Sequence, residues 1–201
     1  LVLGGSGRFG RAATTAFNWA GWDVRQFNRK TDTLWDAAWG AKVIVHAWNP
    51  MPWTWADTLP QMNAQVIEVA KASGATVVIP GNVYGFGASM PSMLRADTPH
   101  QPTTIYGKLR VEMEQSFKEA GVRTIVLRAG DFIDTSASGN WFDKVMVASL
   151  DKGRLTYPGP DNVDHAWAFL PDMAEAAVML AERRHDLAAF EDVVRAGLLA
   201  V

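Results

Sequence analysis

The residues best suited to chemistry stand at the start of the chain. Gly4-Gly5-Ser6-Gly7-Arg8-Phe9-Gly10 separates an apolar run, Leu1-Val2-Leu3, from a segment with Phe9, Ala12, Ala13, Ala16, Phe17 and Ala20 at helical spacing. Gly5, Gly7 and Gly10 fit G-x-G-x-x-G, and Gly4, Gly7 and Gly10 fit G-x-x-G-x-x-G. In either register one glycine permits a tight turn, another lets the backbone approach a pyrophosphate, and the last lets a helix pack closely on a sheet. Backbone N–H groups at the helix start then face the anion, helped by the helix dipole. A plain glycine turn is the alternative. The strand before the loop and the amphipathic helix after it favour the anion-binding reading, which takes Ser6, Arg8 and Phe9 along with the four glycines.

The residues after the second expected strand, Val24–Phe27, select the dinucleotide. An acid there accepts hydrogen bonds from a ribose 2′-hydroxyl. This chain has Asn28-Arg29-Lys30 instead. Arg29 and Lys30, with Arg8 as a third cation, suit a 2′-phosphate, so NADP is expected before NAD. Two alternatives stay open: the pair are ordinary surface charges, or Asp32 reaches a ribose if the loop curls back.

The elements that must hold these groups follow from periodicity. Strands are expected at Val43–Ala47, Thr76–Ile79, Val122–Arg128 and around Arg154–Tyr157. Helices are expected at Leu34–Trp39, from about Met62 or Asn63 to Gly74, from Tyr106 to Gly121, around Trp141–Leu150, and from Asp172 to about Arg184. Asp131–Asn140 reads as a polar loop, and Leu187–Val201 has no evident link to a sheet. The strands are continuous apolar runs alternating with helices, which predicts an α/β fold with a doubly wound, Rossmann-type parallel sheet covered on both faces. The stretch between the second and third strands is too short for the further strand such folds usually carry there. Residues 1–130 are read as the dinucleotide-binding core. Residues 131–201 are read as a small, reduced substrate-side and closing region folded onto the same domain.

Composition narrows the function. With 201 residues the chain makes one domain able to bury roughly 70 % of its unfolded surface. Hydrophobic residues at 48 % against charged residues at 20 % exclude a disordered chain. A net charge of −2 gives no case for a nucleic-acid or anionic-membrane partner. The absence of cysteine excludes disulfides, thiol catalysis and Cys-ligated metals, and the four histidines show no metal-ligand spacing. No apolar run approaches the ~18 residues of a membrane span. The expectation is a cytoplasmic protein with a small-molecule substrate, open to pairing as a homodimer.

Further pieces occur in a telling order: Val43-Ile44-Val45-His46-Ala47, Asn63, Val83-Tyr84-Gly85, Pro102-Thr103-Thr104-Ile105-Tyr106-Gly107-Lys108-Leu109-Arg110 with Glu114, Leu127-Arg128-Ala129-Gly130, and Phe169-Leu170-Pro171-Asp172-Met173-Ala174. Together with the glycine loop they resemble the short-chain dehydrogenase/reductase superfamily, in its extended NAD(P)-dependent epimerase/dehydratase-like branch, from Leu1 to about Arg184. The resemblance places Ala47 and Trp48 beside the cofactor. It also implies a catalytic tyrosine, with a lysine four residues later favouring its phenolate, and a serine that hydrogen-bonds the substrate. Tyr106 stands at the tyrosine position and Arg110 at the lysine position, which keeps the charge but cannot join a proton relay. A rival register takes Thr104, Lys108 and Glu112, but loses the tyrosine. The serine's place falls on Pro80, with Gly81 and Asn82 beside it; Asn82 or Thr104 is the substitute to consider.

Asn82, Tyr84, Asp131 and His165 are the expected substrate contacts, with Asp164 and Trp167 as neighbours. Tyr106 also reads as a packing aromatic on a helix face. His46, on a buried strand, reads as a structural histidine. Trp48, Trp53 and Trp55 flank a Pro-rich loop and either wall a pocket or cover a core or an oligomer contact. The implied function is an NAD(P)-dependent oxidoreductase or epimerase-like enzyme for a small carbonyl or hydroxyl compound. The alternative is a dinucleotide-binding sensor without turnover.

Overall fold

The computed structural model describes residues 1–160, 162–163 and 165–194. Asp164 and residues 195–201 of the expected closing segment lie outside them. In chain order the elements are β1 (Val2–Leu3), α1 (Arg8–Trp19), α2 (Leu34–Ala38), β2 (Val43–His46), α3 (Trp55–Ser73), β3 (Thr76–Gly81), α4 (Ile105–Glu119), β4 (Thr124–Arg128), β5 (Asp131–Ile133), β6 (Trp167–Phe169), α5 (Leu170–Glu182) and β7 (Phe190–Val194).

Five strands form one sheet in the order β1-β2-β3-β4-β7, and every pairing is parallel. The register aligns Val2, Val45, Val78 and Ile125 in one row across it. That row faces Phe9, Ala13 and Phe17 of α1 and Met173, Ala177 and Ala181 of α5. The alternate residues Ile44 and Val77 face the other layer, built from α2, α3 and α4 through Ala38, Val66, Val69, Met113 and Phe117. Burial on both faces is why these strands read as unbroken apolar runs. The sheet is a doubly wound Rossmann-type sheet. All its strands point the same way, so one edge collects every strand's carboxyl end, where such folds bind ligands.

Several expectations need correction. The strand expected at Val24–Phe27 reduces to one parallel bridge, Val2 with Gln26, because β1 offers two residues to pair with. No strand stands between Phe27 and Val43 among the described residues. The strand expected around Arg154–Tyr157 is a single antiparallel bridge to Ser149; Leu155 is exposed and has no core to enter. The helix around Trp141–Leu150 is a π-helical turn, Phe142–Met146, followed by a short 3-10 turn. The helix expected near Asn63 begins at Trp55. Asp131–Ile133, read as loop, pairs in parallel with Trp167–Phe169 as a separate two-stranded sheet. Residues 190–194, which showed no link to the sheet, form its last strand beside β4.

β7 carries acids, Glu191 and Asp192, where the other sheet strands are mostly apolar. Arg128, 1 % exposed, explains Asp192. Its guanidinium donates to both oxygens of Glu114 on α4, at 3.0 and 2.6 Å. It also donates to Asp192, at 2.6 Å from Nη2 and 2.8 Å from Nε, and to the Asn82 carbonyl at 3.1 Å. His100, Glu114 and Asp192 present ligand atoms within 4.8 Å of one another, but the guanidinium occupies both carboxylates. Removing one member of a buried charge cluster leaves its partners desolvated and unpaired. Arg128→Ala should therefore lower the unfolding free energy by about 3–5 kcal/mol, measured by urea denaturation; a loss under 1 kcal/mol would contradict this role.

Candidate functional site

The glycine loop is shaped by contacts that no side chain survives. Gly4 adopts φ +79°, and a Cβ there would sit 2.5 Å from the Ala47 carbonyl oxygen. A Cβ on Gly10 would lie 2.1 Å from the Gly4 carbonyl oxygen. α1 thus packs directly on the loop, and the loop packs directly on the end of β2. Gly7 is the N-cap of α1 with no side-chain cap, and the first turn carries no acid, so the positive end of the helix is not satisfied from within. The Nη1 atom of Arg8 is buried without a hydrogen-bond partner, and the guanidinium lies 5.8 Å over the Phe132 ring. A glycine cradle at a helix N-terminus with an unbonded guanidinium nitrogen beside it fits a dinucleotide diphosphate.

Beyond the loop, Phe27, Arg29, Leu34, Trp35, Trp48 and Val69 line a cleft. Trp48 meets Phe27 edge-on at 5.3 Å. The polypeptide curls back after the edge segment: the Asp32 carboxylate accepts from the Asn28 N–H at 2.8 Å and from the Thr31 hydroxyl at 2.7 Å. The Lys30 N–H donates to Asn28 Oδ1, and both Arg29 and Lys30 are exposed. The tryptophans part company here. Trp53 is exposed, whereas Trp55 is buried and donates from its indole N–H to the Pro50 carbonyl at 2.9 Å.

Tyr106 and Arg110 share α4 and both meet Trp55. The Tyr106 ring stands edge-on at 5.5 Å, and the Arg110 guanidinium lies 4.1 Å over the indole face. Arg110 Nη2 donates to Asn49 Oδ1 at 2.7 Å, while its Nε is buried without a partner. Burial lowers the Arg110 pKa from its usual value; Glu114 and Tyr84 oppose that shift. The Asn82 side chain accepts from the Tyr84 N–H at 3.0 Å, and Thr104 Oγ1 caps α4 by accepting from the Gly107 N–H at 3.1 Å. Both candidate substitutes for the missing serine therefore hold backbone in place. Burial raises the Tyr84 phenol above its ordinary pKa, Asp131 adds to the rise, and Arg110 opposes it.

Asp131 and His165 meet directly. His165 Nε2 lies 2.9 Å from Asp131 Oδ2, and His165 Nδ1 lies 3.3 Å from the Tyr157 hydroxyl. Next to Asp131, Phe132 stacks on Phe9 at 6.2 Å, which brings this segment against the start of α1. Sequence reading missed Tyr157, Asn49 and the Arg110–Trp55 stack. The aromatic run Trp141-Phe142 and the pair His165 and Trp167 were the available signal for an aromatic cluster around Tyr157.

His46 was read as structural. It is 1 % exposed, and its Nε2 pairs with Asn63 Oδ1 at 3.1 Å, while Nδ1 has no partner. It closes the underside of the β2 end between Trp48 and Phe117.

No family model and no curated protein matches this chain. Solved structures do. The structure of MoeE5 in complex with UDP-glucose and NAD aligns with a TM-score of 0.81 at 15 % identity, over all of this chain and 76 % of that one. The fold is shared with that structure and with a UDP-galactose 4-epimerase at 18 % identity. A UDP-glucose 4-epimerase from Brucella ovis, in complex with NAD, aligns with a TM-score of 0.77 at 13 % identity, over 97 % of this chain and 76 % of that one. A dTDP-4-dehydrorhamnose reductase from Bacillus anthracis, in complex with NADP, gives 0.74 at 18 % identity, over 97 % of this chain and 73 % of that one. Ala47 directly follows β2, and the glycine loop rests on its carbonyl.

Burial, more than any neighbouring charge, lowers the His46 pKa to about 4. The unfolded chain takes up its proton near pH 6.5, before the folded chain does, so stability falls as pH drops through this window. The expected loss between about pH 6.5 and 4 is roughly 3 kcal/mol. His46→Leu should flatten that part of the pH dependence of urea unfolding; an unchanged slope would contradict it.

Proposed function

We propose that the chain is an NAD(P)-dependent oxidoreductase or epimerase-like enzyme acting on a small carbonyl or hydroxyl compound, with NADP as the preferred dinucleotide. The observation that carries the reading is the cradle of Gly4, Gly7 and Gly10 at the uncapped start of α1, with backbone oxygens where any Cβ on Gly4 or Gly10 would stand. Ser6, Arg8 and Phe9 complete the diphosphate loop, and Gly5, Ala47 and Trp48 flank it. Several similar structures are complexes with NAD or NADP, which supports the same ligand class here.

Arg29 and Lys30, exposed at the cleft side with Asn28, supply charge for a 2′-phosphate, whereas the Asp32 carboxylate is engaged by Asn28 and Thr31. When bound, the nicotinamide supplies hydride exchange. Tyr106, partly exposed beside Trp55, gives or takes the proton at the substrate oxygen, and Arg110, four residues along α4 and stacked on the same indole, supplies a positive charge to the site. Asn82, Tyr84, Asp131 and His165 bound the substrate side.

Binding without turnover is the second reading. Arg110 is held by Asn49 and the Trp55 face, and Asn82 is committed to its turn, which favours it.

Thermal-shift titration with NADPH, NADP, NADH and NAD tests the ligand. At a hundred times its dissociation constant a ligand stabilises by about 2.7 kcal/mol, on the order of 5–10 °C here. A larger shift with NADPH than NADH is expected; the reverse order defeats the Arg29/Lys30 assignment. For turnover, Tyr106→Phe should reduce hydride transfer to a panel of small carbonyls by about 10²-fold or more. Equal rates in both proteins remove Tyr106 from the chemistry, and a wild type inert on the whole panel favours the non-catalytic reading.

A further inference from the structure

Asp131, His165 and Tyr157 form a hydrogen-bonded chain that the assignments above leave without a chemical task. A carboxylate oxygen can only accept, so His165 Nε2 carries the proton of the 2.9 Å contact to Asp131. In the neutral ring Nδ1 then holds a lone pair, and the Tyr157 hydroxyl, 3.3 Å away, donates to it. The ring is clamped: it stacks on Trp167 at 4.3 Å and 24°, and Trp141 approaches at 5.4 Å. Its orientation is therefore fixed by one stacked face, a tilted neighbour and both nitrogens. The chain also sits at the crevice. Asp131 follows β4 at the carboxyl edge of the sheet, its charge is felt by Tyr84, and its neighbour Phe132 packs on Phe9 beside the glycine loop. The side chains of His165 and Asp131 are 26 % and 44 % exposed, so a small molecule can reach the unit.

We propose that this chain is a second proton-transfer unit of the site, with Tyr157 as the group that exchanges a proton with the carbon next to a substrate carbonyl. The C–H bond breaks and its electron pair passes into the enolate. The proton goes to the Tyr157 oxygen as the tyrosine's own proton moves to His165 Nδ1, and the resulting imidazolium is paired with the Asp131 carboxylate. Return of a proton by the same path restores the ketone, so the step is redox-neutral and needs no dinucleotide. Arg110 holds its proton permanently and cannot serve in this way. The proposal rests on reading the crevice as a site for carbonyl compounds, but not on cofactor binding.

The test uses the full chain without dinucleotide. Hydroxyacetone in D₂O is followed by NMR for deuterium uptake at the carbons flanking its carbonyl. Wild type is expected to exceed buffer, and His165→Gly and Tyr157→Phe to lose about 10²-fold of the excess. Added imidazole should restore His165→Gly. In parallel, ¹⁵N-histidine spectra should show His165 protonated at Nε2 in the neutral ring, and Asp131→Asn should favour the Nδ1–H tautomer. A wild type no faster than buffer, variants within twofold of wild type, or an Nδ1–H ring in wild type each overturns the proposal. Exchange without any thermal shift from the four dinucleotides would leave the proton chain standing and defeat the dinucleotide reading instead.

Discussion

The closeness of Gly4 to Ala47 and of Gly10 to Gly4 governs the site. Two backbone segments and one helix meet with no room for a Cβ between them. Because the carbonyl oxygens of Gly4 and Ala47 take that space, α1 starts at a fixed height above the sheet and its free N–H groups point over the strand ends. Everything else in the crevice is arranged around that fixed point. Phe9 leaves the loop to stack on Phe132, which sets the distance between the anion cradle and the Asp131 segment. Trp48 continues from Ala47 to meet Phe27 and closes the cleft on the other side.

The opposite half of the crevice depends on charge. Arg128 joins the turn after β3, helix α4 and strand β7 through its contacts to Asn82, Glu114 and Asp192. α4 carries Tyr106 and Arg110, and the turn after β3 carries Tyr84, so one buried guanidinium orients both walls. Arg110 is held differently: among the described residues its hydrogen bonds and ring contact are to an amide oxygen, a thioether sulfur and an indole face, and the Glu114 charge acts on it without a hydrogen bond. Two arginines with similar burial thus differ in kind, one completing the scaffold through paired carboxylates and the other hydrogen-bonded to neutral groups beside the tyrosines.

What could be read from the sequence was local. The glycine loop was readable because its constraint, the lack of a Cβ, is written in the residue type. β2, β3 and β4 were readable because burial on two faces makes apolar runs. β7 was not, since Asp192 looks foreign to a buried strand until Arg128, distant by 64 positions, is placed against it. Val24–Phe27 and Arg154–Tyr157 had strand-like residues, but pairing length and a core to enter decide whether a strand forms, and neither is a local property. In the site, Asp131 and His165 were singled out separately as substrate contacts. Their direct contact, and the part of Tyr157, arise from the β5–β6 pairing across 34 positions, which no spacing rule expresses.

The terminal strand of the sheet has one more implication. Among the described residues β7 is an edge strand, and edge strands ordinarily fray first, opening and closing independently of the core. Peeling β7 away would strip Asp192 from Arg128 and leave a desolvated cation with half of its counter-charge. That penalty couples the fate of β7 to that of α4 and the turn beneath Tyr84. The edge should exchange its amide hydrogens with the slowest class of the protein and not with its loops, and loss of the crevice wall and loss of the outer strand become one event.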